Sequence, residues 1–493
     1  MSQNPEEHAV PSHKLEEDRL AKLQKLRALG LDPYGQRYEK AATVKQVLDA
    51  YSPTEEGKKV RTAGRVTALR LHGKAAFLDI RDWTGRVQLY FRREKLGDQK
   101  FAVFELLDLG DIIGVEGGLM KTRTGEITIF VEDFTFLTKA LLPLPEKWHG
   151  LKDVELRYRQ RYLDLISNPE VMETFLRRIR ILKLIRQYLD ERGFVEVETP
   201  MMQSIAAGAA AKPFMTHHNT LDIDLYLRIS PELYLKRLLV GGMEKVYEIN
   251  RNFRNEGIST RHNPEFTMME IYQAFADYNV MMDLTEGLIT SLVADIHGAE
   301  TKEIPYGDKM INISRPWARR QYADLLKEFG GVDLGDDAAI RTKAKAMGLE
   351  TGPLPTNAIA HEIFEKVVEQ NLVHPTFILD YPVEVCPLTK RRPDNPSLAQ
   401  RFELIINGME LANAYTELND PADQQARFEE QLRMGTDEVR EIDTDFVTAL
   451  KHGMPPAGGL GIGIDRLVMI LTNSLSIRDV LLFPLLRPLS AEP

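Results

Sequence analysis

Cysteine is almost absent: Cys386 is the only one among 493 residues. A single cysteine forms no intrachain disulfide, no Cys-based zinc site and no iron–sulfur cluster, and a cytosolic chain is expected. Long apolar runs are missing as well. No stretch of about 18 uncharged apolar residues occurs, so no transmembrane helix is expected. The segment Met1 to Pro11 carries Glu6 and Glu7 and no apolar core, and does not read as a secretory signal. The common nucleotide and metal motifs are missing too. No G-x-x-x-x-G-K-[ST] is found, Gly458, Gly459, Gly461 and Gly463 do not fit G-x-G-x-x-G, and there is no H-E-x-x-H. A nucleotide, if bound, must be held by arginines and carboxylates on an antiparallel sheet.

What is present is ordinary globular material, 43% apolar and 28% charged, in a chain long enough for about three domains. The net charge of −10 argues against a polyanion partner for the chain as a whole. From Lys58 to Lys100, however, twelve Lys and Arg face four Asp and Glu. Such a basic module can hold phosphates while the rest repels polyanions, although a solvated surface reads the same way.

Leu20, Leu23 and Leu26 repeat at helical spacing and predict a helix over 13–29, stopped by Gly30. Five short β-rich runs follow: Val60–Leu69, Ala75–Asp82, Arg86–Phe91, Asp111–Leu119 and Ile127–Phe136. Glycine or aspartate punctuates them, which predicts a five-stranded OB-fold β-barrel. The expected organisation is a helical extension over 1–54, the barrel over 55–142, a linker over 143–170 and a larger domain over 171–493. Phe175, Ile179, Leu182, Ile185 and Leu189 predict a helix over 171–193. Strands are expected to dominate 201–316, helices 317–371 and strands 376–417. Asp420–Pro421 reads as a helix start, and a helix is expected over Asp465–Leu471.

Three segments carry chemistry. The run VYEINRNFRNEGISTRHNPEFTMMEIY, 246–272, reads as a strand, a polar loop and a return strand. Period-2 alternation puts Phe266, Met268, Glu270 and Tyr272 on one face. Arg254, Arg261 and His262 suit phosphate oxygens, and Phe266 suits stacking on a base. In RFELIINGMELANAYTE, 401–417, Glu403 and Glu410 suit Mg²⁺, which takes one or two carboxylates plus substrate phosphates. Glu410 and Asn413 have opposite parity. If both face one site, a β-bulge must lie near Leu411–Ala412. In GGLGIGIDRLVMIL, 458–471, alternating glycines permit close approach, and Arg466 opens the following helix as an anion site.

Together these segments resemble the three signature motifs of class II aminoacyl-tRNA synthetases, with FVEVETPMM, FRNE through Phe266, and GIGIDR. The basic barrel resembles the anticodon-binding domain of the subclass that serves lysine, aspartate and asparagine. HGLKDVELRYRQRYLDLI, RISPELYLKRLLVGG and NAYTELND are most similar to its bacterial-type lysine branch. The resemblance runs from about residue 15 to Pro488. It implies an α+β chain in which an OB-fold barrel precedes a class II catalytic domain, an antiparallel sheet flanked by helices with a helical insertion near 317–371. It implies a cytoplasmic homodimer that activates L-lysine with ATP and Mg²⁺ and loads it onto tRNA(Lys).

The resemblance also implies residue roles. Arg254 and Arg466 would be catalytic and contact ATP phosphates, with Glu256, His262, Phe266 and Glu403 also at the nucleotide. Glu403 and Glu410 would hold the metal. Gly208, Glu232, Glu270, Tyr272, Asn413, Tyr415 and Glu417 would form the lysine pocket, with Glu232 and Glu417 on the ε-ammonium. Arg70, Phe77, Gln88 and Glu126 would read the anticodon. A sibling enzyme for aspartate or asparagine would need a cation where Glu232 and Glu417 stand. A non-catalytic paralogue would be expected to have lost Arg254, Glu403, Glu410 or Arg466, and all four remain.

Overall fold

The computed structural model describes residues 10–72, 75–145, 151–205, 211–349, 351–352, 354–434 and 442–489. The chain divides into two compact units, Met1–Met172 and Glu173–Pro493.

The first unit is built on a closed barrel of strand order β1-β2-β3-β5-β4, from Lys59–His72 (β1), Ala75–Asp82 (β2), Gly85–Arg92 (β3), Ile112–Lys121 (β4) and Ile127–Thr138 (β5). Its bounds fall within a few residues of those expected, because each run alternates. Leu78 and Ile80 of β2, Leu89 and Phe91 of β3, and Ile129 and Val131 of β5 point into one buried core. The N-terminal helix spans Val10–Ala28, with Leu26 reaching the barrel core. The segment read as a linker is not bare: it carries short helices Val154–Arg159 and Arg161–Ser167. Buried Asp164 ties them together, accepting from Arg157 at 2.8 Å and from Asn168 at 2.6 Å.

The helix expected over 171–193 runs from Pro169 to Asp190. Beyond it come Val195–Glu196 (β6) and a small sheet of Met202–Gln203 (β7), Phe214–His218 (β8) and Ile223–Leu227 (β9). The main sheet has eight strands in the order β14-β15-β16-β17-β18-β11-β10-β6. Its further members are Lys245–Phe253 (β10), Glu265–Ala274 (β11), Ala318–Gln321 (β14), Thr376–Leu379 (β15), Arg401–Ile406 (β16), Met409–Thr416 (β17) and Ala457–Gly463 (β18). A separate hairpin, Glu303–Tyr306 (β12) with Lys309–Asn312 (β13), lies between. The sheet is antiparallel through its centre, as expected, but its outer pairs β14–β15 and β10–β6 are parallel.

Strands outnumber helices over 201–316, as expected, but helices Glu232–Val240 and Tyr278–His297 lie among them and had not been anticipated. The second packs Met281, Leu288, Ile289 and Leu292 into the same core as Phe402, Leu404 and Ile462 of the sheet. The insertion near 317–371 opens with strand β14, whose partner β15 lies more than 50 residues on, so local pattern alone did not reveal it. The rest of that insertion is helical, with Asp337–Ala346 and Thr356–Val367 closing a second core in which Ile340, Ile359 and Phe364 pack with Ile378 and Ile405 of the sheet. Asp420 caps helix Pro421–Met434 as expected, accepting from the Ala422 amide at 2.8 Å.

Candidate active site

Strand β18 lies between β11 and β17, and its glycines face the chemistry-bearing residues of both neighbours. Gly461 stands opposite Glu270 and Asn413, and Gly459 opposite Tyr272 and Tyr415. The result is a trough with a glycine floor and polar walls. A methyl group on Gly459 would lie 1.9 Å from Glu417 Oε1, and one on Gly461 would lie 2.6 Å from Met268 Cε. Both glycines are therefore required by close approach.

Two cavities open from this trough. The first, of about 470 Å³, is lined by Ser230, Glu232, Glu270, Tyr272, Asn413 and Tyr415, among others. The second, of about 120 Å³, is lined by Glu256, His262, Phe266, Glu410 and Arg466. Arg254, Met268, Asn413 and Gly461 line both. The buried Arg254 Nε has no hydrogen-bond partner, and the guanidinium sits 5.2 Å from the centre of the Phe266 ring. It is thus a cation at the junction with donor capacity to spare.

The first cavity is acidic. Glu270 accepts from Ser230 Oγ at 2.8 Å and from Tyr272 OH at 3.1 Å. Burial and the charge of Glu232 nevertheless push its carboxyl up to about 7. Burial likewise pushes Glu417 up to about 8, with Lys236 pulling the other way. Lys236 is the residue that sequence reasoning missed. Its ammonium lies 2.7 Å from Glu232 Oε1 and 2.5 Å from Glu417 Oε2. The spacing Glu232–Lys236 was a visible i,i+4 pair, but such pairs are normally exposed, and only the tertiary fold buries this one.

In the second cavity, Arg466 donates to the Glu410 carbonyl at 2.6 Å and approaches Glu410 Oε2 at 3.3 Å. It also donates to His262 Nε2 at 3.1 Å. Because arginine only donates, Nε2 accepts, and the proton sits on Nδ1, which donates to Ser259 Oγ at 2.8 Å. Partial burial and the Arg466 charge lower the His262 pKa, so the ring is neutral at pH 7. Glu256 is exposed at the rim.

The expected bulge is present. Leu404 pairs with Ala412 and Ile405 with Glu410, so Leu411 is the extra residue. Glu403 and Glu410 therefore stand on adjoining strands with Asn413 beside them. Glu403 accepts from Tyr381 OH at 2.6 Å and from Arg401, which also missed notice in the sequence. Burial and the charge of Glu410 raise the Glu403 pKa, against the pull of Arg401. Two like-charged hard oxygen ligands are a donor set that fits a divalent cation completed by phosphates. Among the described residues, no group of three or more histidine, cysteine, aspartate or glutamate side chains is placed to hold a metal ion.

The motif-bearing elements are also tied to one another. Asp465 accepts from the Thr267 amide at 2.7 Å and pairs with Arg178 at 2.6 Å, joining the return strand, helix Ile464–Thr472 and helix Pro169–Asp190. Of the residues implied by resemblance, Gly208 lies outside the described residues. The others of the catalytic unit line these two cavities, except Glu403, held beside them, and Glu417, which approaches the first at Gly459 and is joined through Lys236 to its wall residue Glu232.

On the barrel, Arg70, Phe77, Tyr90 and Phe130 are paired in register across β1, β2, β3 and β5. Phe77 stacks on Tyr90 with ring centres 4.7 Å apart, and Tyr90 lies 5.7 Å from Phe130. Beside this row, Gln88 accepts from Thr128 at 2.9 Å, and Arg86 bridges Asp79 at 2.9 Å and Glu126 at 2.8 Å. Tyr90 and Phe130 were not singled out from the sequence. Their alternation was visible, but their alignment with Phe77 depends on register.

A glycine-floored, two-chambered site on an antiparallel sheet, with a separate OB barrel, is the architecture of a class II tRNA synthetase, and the chain belongs to that family. Residues 153–487 match the family model "tRNA synthetases class II (D, K and N)", and residues 60–137 match "OB-fold nucleic acid binding domain". The chain is accordingly a ligase. Among its curated relatives is the lysine–tRNA ligase of Carboxydothermus hydrogenoformans, 57% identical over 95% of this chain and 97% of that protein. Those of Syntrophomonas wolfei and Staphylococcus saprophyticus are 54% and 51% identical, the former over 97% of this chain and the latter over 95%. Among the described residues, no helix is long and apolar enough to cross a membrane.

Proposed function

We propose that this chain is a cytoplasmic lysine–tRNA ligase. It joins L-lysine to ATP, releasing pyrophosphate, and transfers the lysyl group to the 3′ end of tRNA(Lys). The observation that carries this reading is the placement of Arg254 on the wall between an acidic chamber and a chamber lined by Phe266, His262 and Arg466.

In this reading Glu270 takes the α-ammonium of lysine, and Glu232 and Glu417 take the ε-ammonium, with Tyr272, Asn413 and Tyr415 closing the walls. Gly208 is assigned to the same pocket by resemblance alone. The adenine stacks on Phe266, His262 and Arg466 hold the phosphate end, and Glu256 also meets the nucleotide. A lysine carboxylate oxygen forms a bond to the α-phosphorus while the bond to the pyrophosphate oxygen breaks. No side chain need remove a proton, because that carboxylate is already ionised. Positioning and neutralisation of the phosphates carry the step, and Arg254 supplies charge where the two substrates meet. Glu403 and Glu410 would hold Mg²⁺, which neutralises phosphate charge when bound.

Selectivity against aspartate follows from charge. Seating a carboxylate beside Glu232 and Glu417 strands a buried charge, at a cost of about 3–5 kcal/mol, about a hundredfold to a few thousandfold. On the barrel, Phe77 would stack on an anticodon base, with Gln88 and Glu126 reading edges and Arg70 near the backbone. Assembly as a homodimer is supported by an apolar surface on the catalytic unit. There Ile179, Leu482, Phe483 and Leu485 are exposed around one groove.

ATP–pyrophosphate exchange, without tRNA, tests the reading when lysine, aspartate and asparagine are supplied separately. Exchange with lysine alone is expected. Exchange with aspartate, or with none of the three by folded protein, overturns it.

A further inference from the structure

Lys236 is a fully buried charge bonded to Glu232 of the acidic chamber's wall, and the activation chemistry does not use it. It stands one turn along helix Glu232–Val240 from Glu232 and contacts one oxygen each of Glu232 and Glu417. Its side chain is fully buried, as is that of Glu417. The second oxygen of Glu417, Oε1, is buried without a hydrogen-bond partner, beside the space that Gly459 leaves bare. We propose that Lys236 is a positioning residue that sets the charge of the pocket: it offsets one of two facing carboxylates, so that the ionised cluster carries one net negative charge, the amount that one substrate ammonium neutralises. This inference rests on the reading of the chamber as the lysine pocket.

The physical case is simple. Two carboxylates buried side by side do not both ionise; one retains a proton, which an incoming ammonium must then displace. A fixed ammonium bonded to one oxygen of each opposes that protonation and orients both groups. The charged and titratable neighbours are few: Glu232 on the same helix, Glu417 beyond β17, Glu270 and Tyr272 from β11, and Tyr415 from β17. Glu270 is engaged by Ser230 and Tyr272, which leaves Glu232 and Glu417 as the partners of Lys236. Burial alone would discharge a lysine, but these two carboxylates outweigh it and push Lys236 up to about 12, so it stays charged.

Charge setting and mere packing predict opposite outcomes in one double variant. Glu232→Gln leaves Glu417 and Lys236 cancelling each other, so the pocket is neutral. Lysine affinity, read by calorimetry on the intact enzyme near pH 8.5, should fall about a hundredfold or more. Adding Lys236→Met leaves Glu417 uncancelled, so that it ionises as the substrate ammonium binds, and should recover at least about tenfold of that loss. A double variant that binds lysine no better than Glu232→Gln, or that does not fold, makes Lys236 a packing residue and overturns the proposal. Absence of lysine binding by the folded wild-type enzyme would instead strike the pocket reading itself, and this inference with it.

Discussion

Asn413 donates to Glu410 Oε1 at 3.1 Å, although the two stand three positions apart on β17, where an unbroken strand would turn them to opposite faces. The bulge at Leu411 makes the contact possible, and Leu411 itself turns into the main core. A carboxylate of the smaller chamber is thereby fixed to an amide that lines both chambers.

Glu410→Gln keeps that hydrogen bond but removes a charge from the pair proposed to hold Mg²⁺. The Mg²⁺ concentration needed for half-maximal pyrophosphate exchange should rise about tenfold or more, while lysine affinity measured without ATP should hold. Titrating Mg²⁺ in the exchange assay reads the first, and calorimetry the second.

Arg254→Ala removes the cation at the junction. Loss of such a group costs about 3–4 kcal/mol in the transition state, so exchange should slow about a hundredfold or more with the fold intact. A near-normal rate at saturating substrates would remove Arg254 from the chemistry.

Gly459→Ala sets a methyl group against Glu417 and Tyr272, whose Cε1 would be 2.6 Å away. Lysine affinity should fall steeply, whereas ATP binding in the neighbouring chamber should change little. Equal loss of both ligands would show that the strand itself had moved.

The pH dependence of lysine binding has a defined sign. Glu270, at about 7, and Glu417, at about 8, must be ionised to hold ammonium groups. Affinity is therefore full above both values and declines as pH falls through them. The slope should exceed one proton below pH 7. Glu270→Gln should weaken binding at pH 8.5 but make the remaining decline shallower, approaching one proton. Calorimetric titrations from pH 6 to 9 would show this.

Phe77→Ala removes one end of the aromatic row on the barrel. Loss of a stacked base costs about 1–3 kcal/mol, so the KM for tRNA(Lys) in aminoacylation should rise about five- to a hundredfold. Exchange without tRNA should be unchanged. A rise in KM for lysine would argue against a role confined to tRNA.

The barrel and the central hairpin were legible because each strand alternates and is closed by glycine or aspartate, so period and boundary agree. Helix Tyr278–His297 was not legible, because Val280, Thr285, Ile289, Thr290 and Val293 are β-branched and Gly287 interrupts the apolar stripe. Only packing against the sheet makes it a helix. The candidate site divides the same way. Glu232, Glu270, Asn413 and Glu417 stand out as carboxylates and an amide in recognisable motifs. Lys236, Tyr381 and Arg401 act through burial and through partners on other elements, and linear spacing records neither.

The partition between the chambers has a broader meaning. Arg254, Met268, Asn413 and Gly461 are common to both, whereas Glu232 lines only the first and is joined through buried Lys236 to Glu417. In the proposed reading, changing which amino acid is accepted requires rewriting only that cluster, while phosphate attack stays with the partition. A scaffold divided in this way can change its clientele without relearning its reaction, which is what a family shared by three amino acids demands.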